Sequence, residues 1–238
     1  MRLAVLLVVI PVVLVAYVGA ILLVFDVSRP MVQCLLLFPL AYVLGSIPWG
    51  FLIIRSFLGI DIRKYGSGRI GTTNVLRTAG PRIAALVLIL DVSKGSLGVA
   101  LAMVVADSAL IEVVVALLII SGHNWPFFLG FRGGRGIGPG AGTIMIISPE
   151  SIVVGLAVFT LTVFMTKYVS LSSLASVLTV FLVVTIQVIL TNFSTIYMIY
   201  IAIGGLIIFW QHKDNIYRLS KGTERRLGRS ANKHIEQG

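Results

Sequence analysis

The sequence predicts an all-α, polytopic integral membrane helix bundle, and three observations support this fold class. Of the 238 residues, 58% are apolar and only 12% are charged, whereas soluble domains carry about 25% charged residues. Long apolar runs recur along the chain, and short polar segments separate them. The runs lack the alternation of apolar and polar residues that is typical of membrane β-strands. An ordinary soluble domain and a disordered chain are therefore excluded.

The first apolar run, residues 3–25, has no charged residue and is long enough for about 35 Å of helix. The hydrocarbon core of a bilayer is about 30 Å thick, so this run is expected to span it. A cleaved signal peptide is the alternative, but its apolar region is only about 7–15 residues long. We therefore predict that residues 1–30 form an additional, retained N-terminal span.

Seven further apolar runs predict a seven-helix core over residues 31–228. Several runs are short, so some helices are expected to be tilted, bent or partly buried. A break is expected at Ser148 and Pro149, because an N-cap residue followed by proline is typical of a helix start. The seven runs cover residues 31–57, 81–106, 109–122, 138–148, 150–166, 168–191 and 194–211.

The basic residues predict the orientation of these spans. If the loop 58–80 is cytoplasmic, then 123–137, the turn at Lys167 and the tail after the last run lie on the same side. That side holds 16 of the 19 Lys and Arg residues, whereas the opposite side holds only Arg29. Such an excess is typical of cytoplasmic loops. Both termini are therefore expected in the cytoplasm, with residues 229–238 as a basic cytoplasmic tail.

This topology accounts for most of the net charge of +10, so no nucleic-acid partner is predicted. The single cysteine, Cys34, excludes an intrachain disulfide and a Cys-based zinc site. The three histidines are far apart in sequence and form no HExxH pattern, so no metal site is predicted. Basic segments next to membrane spans instead indicate anionic partners.

The first unusual polar segment, residues 61–80, combines closely spaced glycines with hydroxyl groups and an arginine. Glycine lets backbone N–H groups approach an anion, and hydroxyl and guanidinium groups add donors. Residues 66–71 match GxGxxG, but no strand precedes them, so a dinucleotide site is rejected. The alternative is a basic loop that meets anionic lipid headgroups. The candidate residues are Gly66, Ser67, Gly68, Thr73, Asn74 and Arg77.

The second segment, residues 122–143, contains seven glycines between positions 130 and 142 and leads into an apolar helix. A Gly-rich turn before a helix N-terminus is typical of an anion site. No GK[ST] follows, so it is not a Walker A loop. The alternative is a re-entrant turn whose glycines allow close helix approach. The candidate phosphate-binding residues are Gly133, Gly134, Arg135 and Gly136.

Two further polar groups stand out. His212 and Asn215 follow the last apolar run and share one helix face, although an interfacial histidine beside lipid headgroups is the alternative. Asp91 and Lys94 lie inside a span, where a pair at i, i+3 lowers the free-energy cost of burying both charges. That pair is either structural or lines a polar cavity.

Several short motifs occur in one order along residues 36–228. They are Gly45-Ser-Ile-Pro48, Gly66-Ser-Gly68, Thr73-Asn-Val-Leu-Arg-Thr78, Asp91-Val-Ser-Lys-Gly95, Gly122-His-Asn-Trp-Pro126, Arg132-Gly-Gly-Arg-Gly136, His212-Lys-Asp-Asn-Ile216 and Gly222-Thr-Glu224. This set resembles the bacterial acyl-phosphate-dependent glycerol-3-phosphate acyltransferase family.

The resemblance implies a seven-helix plasma-membrane enzyme with its active site on the cytoplasmic side. Such an enzyme transfers a fatty acyl group from acyl phosphate to the 1-hydroxyl of glycerol 3-phosphate. The product is lysophosphatidic acid, for phospholipid synthesis. The implied partners are acyl phosphate, glycerol 3-phosphate and membrane lipid, and no cofactor is implied.

The resemblance also implies roles for individual residues. The implied catalytic residues are Ser67, Arg77, His212 and Asn215; the implied phosphate-binding residues are Gly66, Gly68, Thr73, Asn74 and Gly133 to Gly136; the implied structural residues are Asp91, Lys94 and Glu224. The general base is either His212 or the acyl phosphate itself.

The chain also departs from the family pattern. Arg69 and Arg135 stand where the family usually has Asn and Lys, and residues 138–142 also differ. Arg and Lys both bind phosphate, but a planar fork and a point charge are not equivalent. A diverged, weakly active paralogue is therefore one alternative function. A membrane transporter or binder of a small organophosphate is another, although the sequence shows no internal repeat and its glycines lie at one interface.

The charge asymmetry makes a direct prediction about topology. A reporter fused before Met1 and one fused after Gly238 are both expected to report a cytoplasmic location, because 16 of 19 basic residues lie on that side. An external N-terminus would show that residues 3–25 do not span the membrane or are removed.

Overall fold

The structure, a computed structural model, describes residues 2–228 and is all-α over that range. Its helices are α1 (Arg2–Val24), α2 (Pro30–Ser46), α3 (Trp49–Leu58), α4 (Thr72–Ala79), α5 (Pro81–Ala106), α6 (Ala109–Asn124), α7 (Ile137–Ile147), α8 (Pro149–Thr166), α9 (Val169–Leu190), α10 (Tyr197–Gln211) and α11 (Lys213–Ser220). Two 3₁₀ turns, Ile62–Lys64 and Phe127–Leu129, lie in the loops. The predicted all-α membrane bundle is confirmed, whereas the predicted tail 229–238 lies outside the described residues.

Each predicted apolar run forms helix. Within the described residues, five segments are long and apolar enough to cross a membrane: Pro30–Leu58, Pro81–Ala106, Ala109–Leu129, Pro149–Thr166 and Val169–Leu190. Shorter apolar stretches lie at Val12–Val24, Ile137–Ile147 and Tyr197–Gln211. The short predicted runs correspond to the short helices α7 and α10.

The predicted run 31–57 forms two helices, α2 and α3. Ile47 is extended (φ −62°, ψ 113°), because Pro48 disfavours helical geometry in the residue before it. Lys94 Nζ on α5 donates to the carbonyl oxygens of Gly45 and Ile47 at this break, at 2.9 and 3.0 Å. The broken span is therefore tied to α5 by a buried ammonium group.

The predicted break at Ser148 separates α7 from α8. Its side chain does not cap α8, although the sequence predicted an N-cap there. The Ser148 hydroxyl instead donates to Gln187 Oε1 on α9 at 2.7 Å and contacts Ser151 Oγ at 2.6 Å. The hydroxyl thus joins the N-terminus of α8 to the C-terminal part of α9.

The outward faces of α8 and α9 carry large apolar side chains. In the spanning windows of these helices only 11% and 22% of residues are buried inside the protein. Apolar surface on this scale requires a partner other than water, and lipid is the one that a membrane bundle meets. The exposed residues include Val153, Leu156, Leu161, Phe164, Met165, Leu178, Leu182, Ile186 and Ile189.

The polar connections meet at one end of the bundle. Leu227 N, after α11, donates to Lys167 O in the turn between α8 and α9 at 2.7 Å. Arg77 Nη2 on α4 donates to Arg225 O at 3.2 Å. The segment after α11 is therefore held against both α4 and the α8–α9 turn, on the common side that the charges predict for these loops.

Helices α5 and α7 cross at small residues. A Cβ atom at Gly142 would overlap Val92 O, and one at Gly95 would overlap Pro139 O, so the backbones touch. By contrast, a Cβ at Gly140 on the same helix would meet only side-chain methyl groups at ordinary distances of 3.6 and 3.7 Å. The close crossing sets the position of the N-terminus of α7.

Gly142→Ala is expected to lower thermal stability, because a backbone carbonyl on α5 cannot move aside as a side chain can. Overpacking of this kind destabilises by about 1–3 kcal/mol. Gly140→Ala is the matched control and is expected to melt close to the native protein. Thermal unfolding of both variants in detergent tests this, and equal melting temperatures for Gly142→Ala and the native protein would contradict the close crossing.

Candidate active site

A cavity of about 300 Å³ opens where the polar connections meet. Its lining comes from α4 to α9, from α11 and from the loops between them. The polar lining residues are Ser67, Arg69, Thr72, Thr73, Asn74, Arg77, Asp91, His123, Arg135, Ser170, Ser173, His212, Asn215 and Glu224. Segments that are more than 140 residues apart in sequence thus share one site.

Asn74, which is 2% exposed, shapes the loop before α4. Its Oδ1 accepts from Ser67 N at 3.0 Å, and its Nδ2 donates to carbonyl oxygens of the same loop. Gly66 and Gly68 have φ of 55° and 69°, which favours glycine, and this lets the loop turn tightly. The Asn74 amide is therefore engaged within the protein, and its assignment to a ligand stays a prediction.

Three arginines line the cavity: Arg69, Arg77 and Arg135. The Nε atoms of Arg77 and Arg135 are buried and lack a hydrogen-bond partner within the described chain. Burial, followed by repulsion from Arg69 and Arg218, lowers the pKa of Arg135 to about 10. Burial also lowers the pKa of Arg77. Both groups remain charged at neutral pH, and both are short of negative partners.

The two carboxylates that line the cavity already have cationic partners. Asp91 Oδ1 lies 2.9 Å from Lys94 Nζ, and both side chains are buried. Glu224 Oε2 accepts from Arg218 Nε at 2.8 Å, while Oε1 accepts from Asn215 Nδ2 at 2.8 Å and from a hydroxyl of α9 at 3.0 Å. Burial tends to raise the pKa of Glu224, but these hydrogen bonds outweigh burial and lower it. The positive charge of the three cavity arginines is therefore left for a ligand.

The Gly-rich loop is built against the end of α6. The N–H groups of Gly133 and Gly134 donate to the carbonyl oxygens of the last two residues of α6, at 3.2 and 3.0 Å. Gly136, with φ of 83°, precedes α7, so Arg135 lies beside the N-terminus of that helix. A helix N-terminus favours anions. The first two amides are thus engaged within the protein, so Arg135 and the helix N-terminus are the groups of this loop that an anion could contact.

His212 lies just after α10, outside the membrane-spanning segments, and is 2% exposed. Its Nδ1 lies 2.8 Å from Ile208 O, and a carbonyl only accepts, so Nδ1 carries the hydrogen and Nε2 the lone pair. Burial, followed by repulsion from Arg135, lowers the pKa of His212 to about 4. One turn later, Asn215 Oδ1 is buried without a partner in residues 2–228. The site therefore offers two neutral acceptors next to its arginines.

Most of the predicted site residues meet in this cavity. Lining it are the four predicted catalytic residues, Ser67, Arg77, His212 and Asn215, the predicted phosphate-binding residues Thr73, Asn74 and Arg135, and the predicted structural residues Asp91 and Glu224. The predicted glycines form the turns of the two loops. Lys94 lies behind Asp91, so this ion pair is buried and also borders the cavity. The assignment of these residues to substrates stays a prediction.

Several lining residues were not predicted, notably Arg69, His123 and Ser170. His123 belongs to one of the short motifs, residues 122–126, that carry the family resemblance. Its position in the sequence, however, does not indicate that it contacts the other loops. Ser170 has no sequence signal at all. Over residues 2–228, no group of three or more His, Cys, Asp or Glu side chains is arranged to hold a metal ion.

A family model described as glycerol-3-phosphate acyltransferase matches residues 35–222. The chain belongs to this family. A glycerol-3-phosphate acyltransferase of Desulforamulus reducens is 42% identical over 188 residues, which cover 79% of this chain and 92% of that protein. One from Rubrobacter xylanophilus is 42% identical over 196 residues, covering 81% and 94%.

A solved acyltransferase structure has the same fold. The crystal structure of PlsY (YgiH), an integral membrane glycerol 3-phosphate acyltransferase, in its glycerol 3-phosphate form is 32% identical with a TM-score of 0.77, and the match covers 82% of this chain and 96% of that one. Its lysophosphatidic acid form gives 31% identity and a TM-score of 0.74. The predicted family is thus confirmed, and the chain is a multi-pass membrane protein.

The buried, neutral His212 predicts a stability that falls with decreasing pH. Its pKa is about 4 in the folded protein against an ordinary 6.5, so between these values the unfolded chain binds the proton more tightly. The effect is on the order of 3 kcal/mol at most. Melting temperatures from pH 4 to 7.5 are expected to rise more steeply for the native protein than for His212→Asn, whose amide retains an N–H towards Ile208 O. The same slope in both proteins would show that His212 titrates normally.

Proposed function

We propose that this chain transfers a fatty acyl group from acyl phosphate to the 1-hydroxyl of glycerol 3-phosphate, giving lysophosphatidic acid. One observation carries the proposal: a single cavity combines three arginines that have no carboxylate partner among residues 2–228 with two neutral acceptors, His212 Nε2 and Asn215 Oδ1. Glycerol 3-phosphate brings a phosphate to the arginines and hydroxyl groups to the acceptors. The names of the relatives, and the two ligand forms of the similar structure, support the same reaction.

The two substrates carry two phosphate groups, and the proposal divides the donors between them. Arg135 and the N-terminus of α7 hold one phosphate, while Ser67 and Arg77 hold the polar end of the other ligand. A guanidinium forms two parallel hydrogen bonds to a phosphate, which fixes its orientation as well as its position. Both arginines then gain the negative partners that burial makes necessary.

In the proposed reaction, the 1-hydroxyl oxygen attacks the acyl carbonyl carbon and forms the ester bond. The bond between the acyl carbon and the phosphate oxygen breaks, and inorganic phosphate leaves with that electron pair. The hydroxyl proton passes to His212 Nε2 or to an oxygen of the acyl phosphate. The low pKa of His212 makes it a weak base, which favours the phosphate as proton acceptor and His212 as the group that orients the hydroxyl. Losing one donor to the developing oxyanion typically costs about 2.7–4 kcal/mol.

The fatty acyl chain needs an apolar exit, and the lining of the cavity supplies one. Leu88 on α5 and Phe159 and Val163 on α8 line it. We propose that the chain passes between these two helices into the bilayer. The lipid product is then released into the membrane rather than into water.

The proposed location is the bacterial plasma membrane, with the cavity on the cytoplasmic side. The distribution of basic residues supports this sidedness, since the loops that form the cavity are the basic ones. We further propose residues 1–30 as an additional span, 31–228 as the enzymatic core and 229–238 as a basic tail. The family match, which begins at residue 35, supports the first boundary.

The proposal is tested by assaying purified protein for lysophosphatidic acid. Product is expected with glycerol 3-phosphate and acyl phosphate, without added magnesium. Acyl-CoA is the alternative donor for comparison and is expected to be inactive. The acyl-CoA-dependent enzymes carry a histidine followed by Asp five residues later, and no histidine in this sequence has that partner. Robust turnover of acyl-CoA would contradict the donor, and no product from either donor would favour a binding protein or transporter.

Arg135→Ala is expected to lower kcat/KM by a factor that corresponds to about 1.5–3 kcal/mol, the usual value of a hydrogen bond to a charged group. Arg135→Lys is expected to retain much of the activity, because an ammonium group still binds phosphate. Arg132→Ala is the matched control, since Arg132 lies in the same loop but is exposed and does not line the cavity. An unchanged kcat/KM for both substrates in Arg135→Ala would contradict the assignment of Arg135 to phosphate binding.

A further inference from the structure

The Lys94 ammonium is buried, with the residue only 2% exposed, and four acceptors surround it. Nζ lies 2.9 Å from Gly45 O, 3.0 Å from Ile47 O, 2.9 Å from Asp91 Oδ1 and 3.0 Å from His123 Nδ1. An ammonium group has three hydrogens and no lone pair, so each of these atoms faces it as an acceptor. The proposed reaction uses neither Lys94 nor His123.

The contact with Lys94 determines where His123 carries its hydrogen. Because the ammonium donates, His123 Nδ1 presents its lone pair, and in the neutral ring the hydrogen lies on Nε2. A hydrogen on Nδ1 would point at a positive charge 3.0 Å away. Asp91 Oδ1 lies 3.6 Å from Nδ1, too far for a hydrogen bond, and is already paired with Lys94.

The opposite edge of the ring lies against the Gly-rich loop. A Cβ atom at Gly134 would overlap His123 Nε2, so this position is restricted to glycine while the ring is there. The Gly134 N–H also donates to His123 O at 3.0 Å, which holds the ring and the loop together. His123 and Arg135 line the same cavity. The hydrogen on Nε2 therefore lies on the side of the ring that faces the Gly-rich loop.

We propose that His123 is a further binding residue of this site and that its Nε2–H donates to an oxygen of the phosphate held by Arg135. Lys94 and Asp91 are then positioning residues, which act through the tautomer and orientation of His123. The inference rests on the proposed function, because it takes a substrate phosphate as the ligand. An uncharged donor suits this position, since Arg69 already repels Arg135 and a further cation would add to that repulsion.

Two substitutions of His123 separate donation from packing. His123→Asn keeps an acceptor oxygen near the position of Nδ1, towards Lys94, but has no donor at the position of Nε2. His123→Gln places an amide N–H at the position of Nε2. Lys94 retains three acceptors in the Gln variant, one for each of its hydrogens, so that variant leaves no buried donor unpaired.

The experiment measures the binding of inorganic phosphate to the purified native protein and to both variants by calorimetry. Melting temperatures of all three proteins show whether the variants are folded. His123→Asn is expected to weaken phosphate binding about tenfold, as for one hydrogen bond to an anion, and His123→Gln to stay within about threefold of the native protein. In an acyl-transfer assay, the same ranking is expected in KM for the substrate whose phosphate is held there.

Native affinity in His123→Asn would overturn the inference, and so would equal weakening in both variants, because the ring and not its donor would then matter. Phosphate binding can be measured without turnover, so the role of His123 and the proposed function can be refuted independently of each other. A native protein that makes no lysophosphatidic acid refutes the proposed function. An active native protein whose phosphate binding is unchanged in His123→Asn refutes only the role of His123.

Discussion

The buried positive charge of the cavity is the constraint on which the rest of the structure depends. Arg77 and Arg135 are both partly removed from water, and the Nε atom of each lacks a hydrogen-bond partner in the described chain. The nearby carboxylates are committed elsewhere: Asp91 pairs with Lys94, and Glu224 pairs with Arg218. A partly buried cation that is short of negative partners is unfavourable, so an anion in the cavity would stabilise this arrangement.

The bundle supplies this site from segments that no single helix contains. Close backbone contact at Gly142 places the N-terminus of α7 against α5, and the Gly-rich loop rests on the end of α6. The segment after α11 crosses to α4 and to the α8–α9 turn, and Glu224 fastens it to Arg218 and Asn215. The polar groups are thereby gathered at one end of the bundle, and the proposed path of the acyl chain leads from there between α5 and α8.

Sequence reasoning predicted the helices well, because a membrane span is a local property of composition and length. It missed the break at Ile47, because the residues on both sides of Pro48 are apolar and together have the composition of one continuous span. The convergence of Arg77, Arg135 and His212 could be expected only from the family resemblance, as no spacing within the chain indicates contact between them. The contact of Lys94 with His123 could not be predicted either, because it joins two spans at a depth and rotation that packing alone decides.

The central claim is that the cavity is built for a phosphate-bearing ligand with hydroxyl groups. Calorimetric titration of the purified protein with glycerol 3-phosphate tests this most directly, with glycerol as the matched ligand that lacks the phosphate. We expect saturable one-to-one binding of glycerol 3-phosphate, displacement by inorganic phosphate and no measurable binding of glycerol. Binding of glycerol with similar affinity, or no binding of glycerol 3-phosphate at any concentration, would contradict the account.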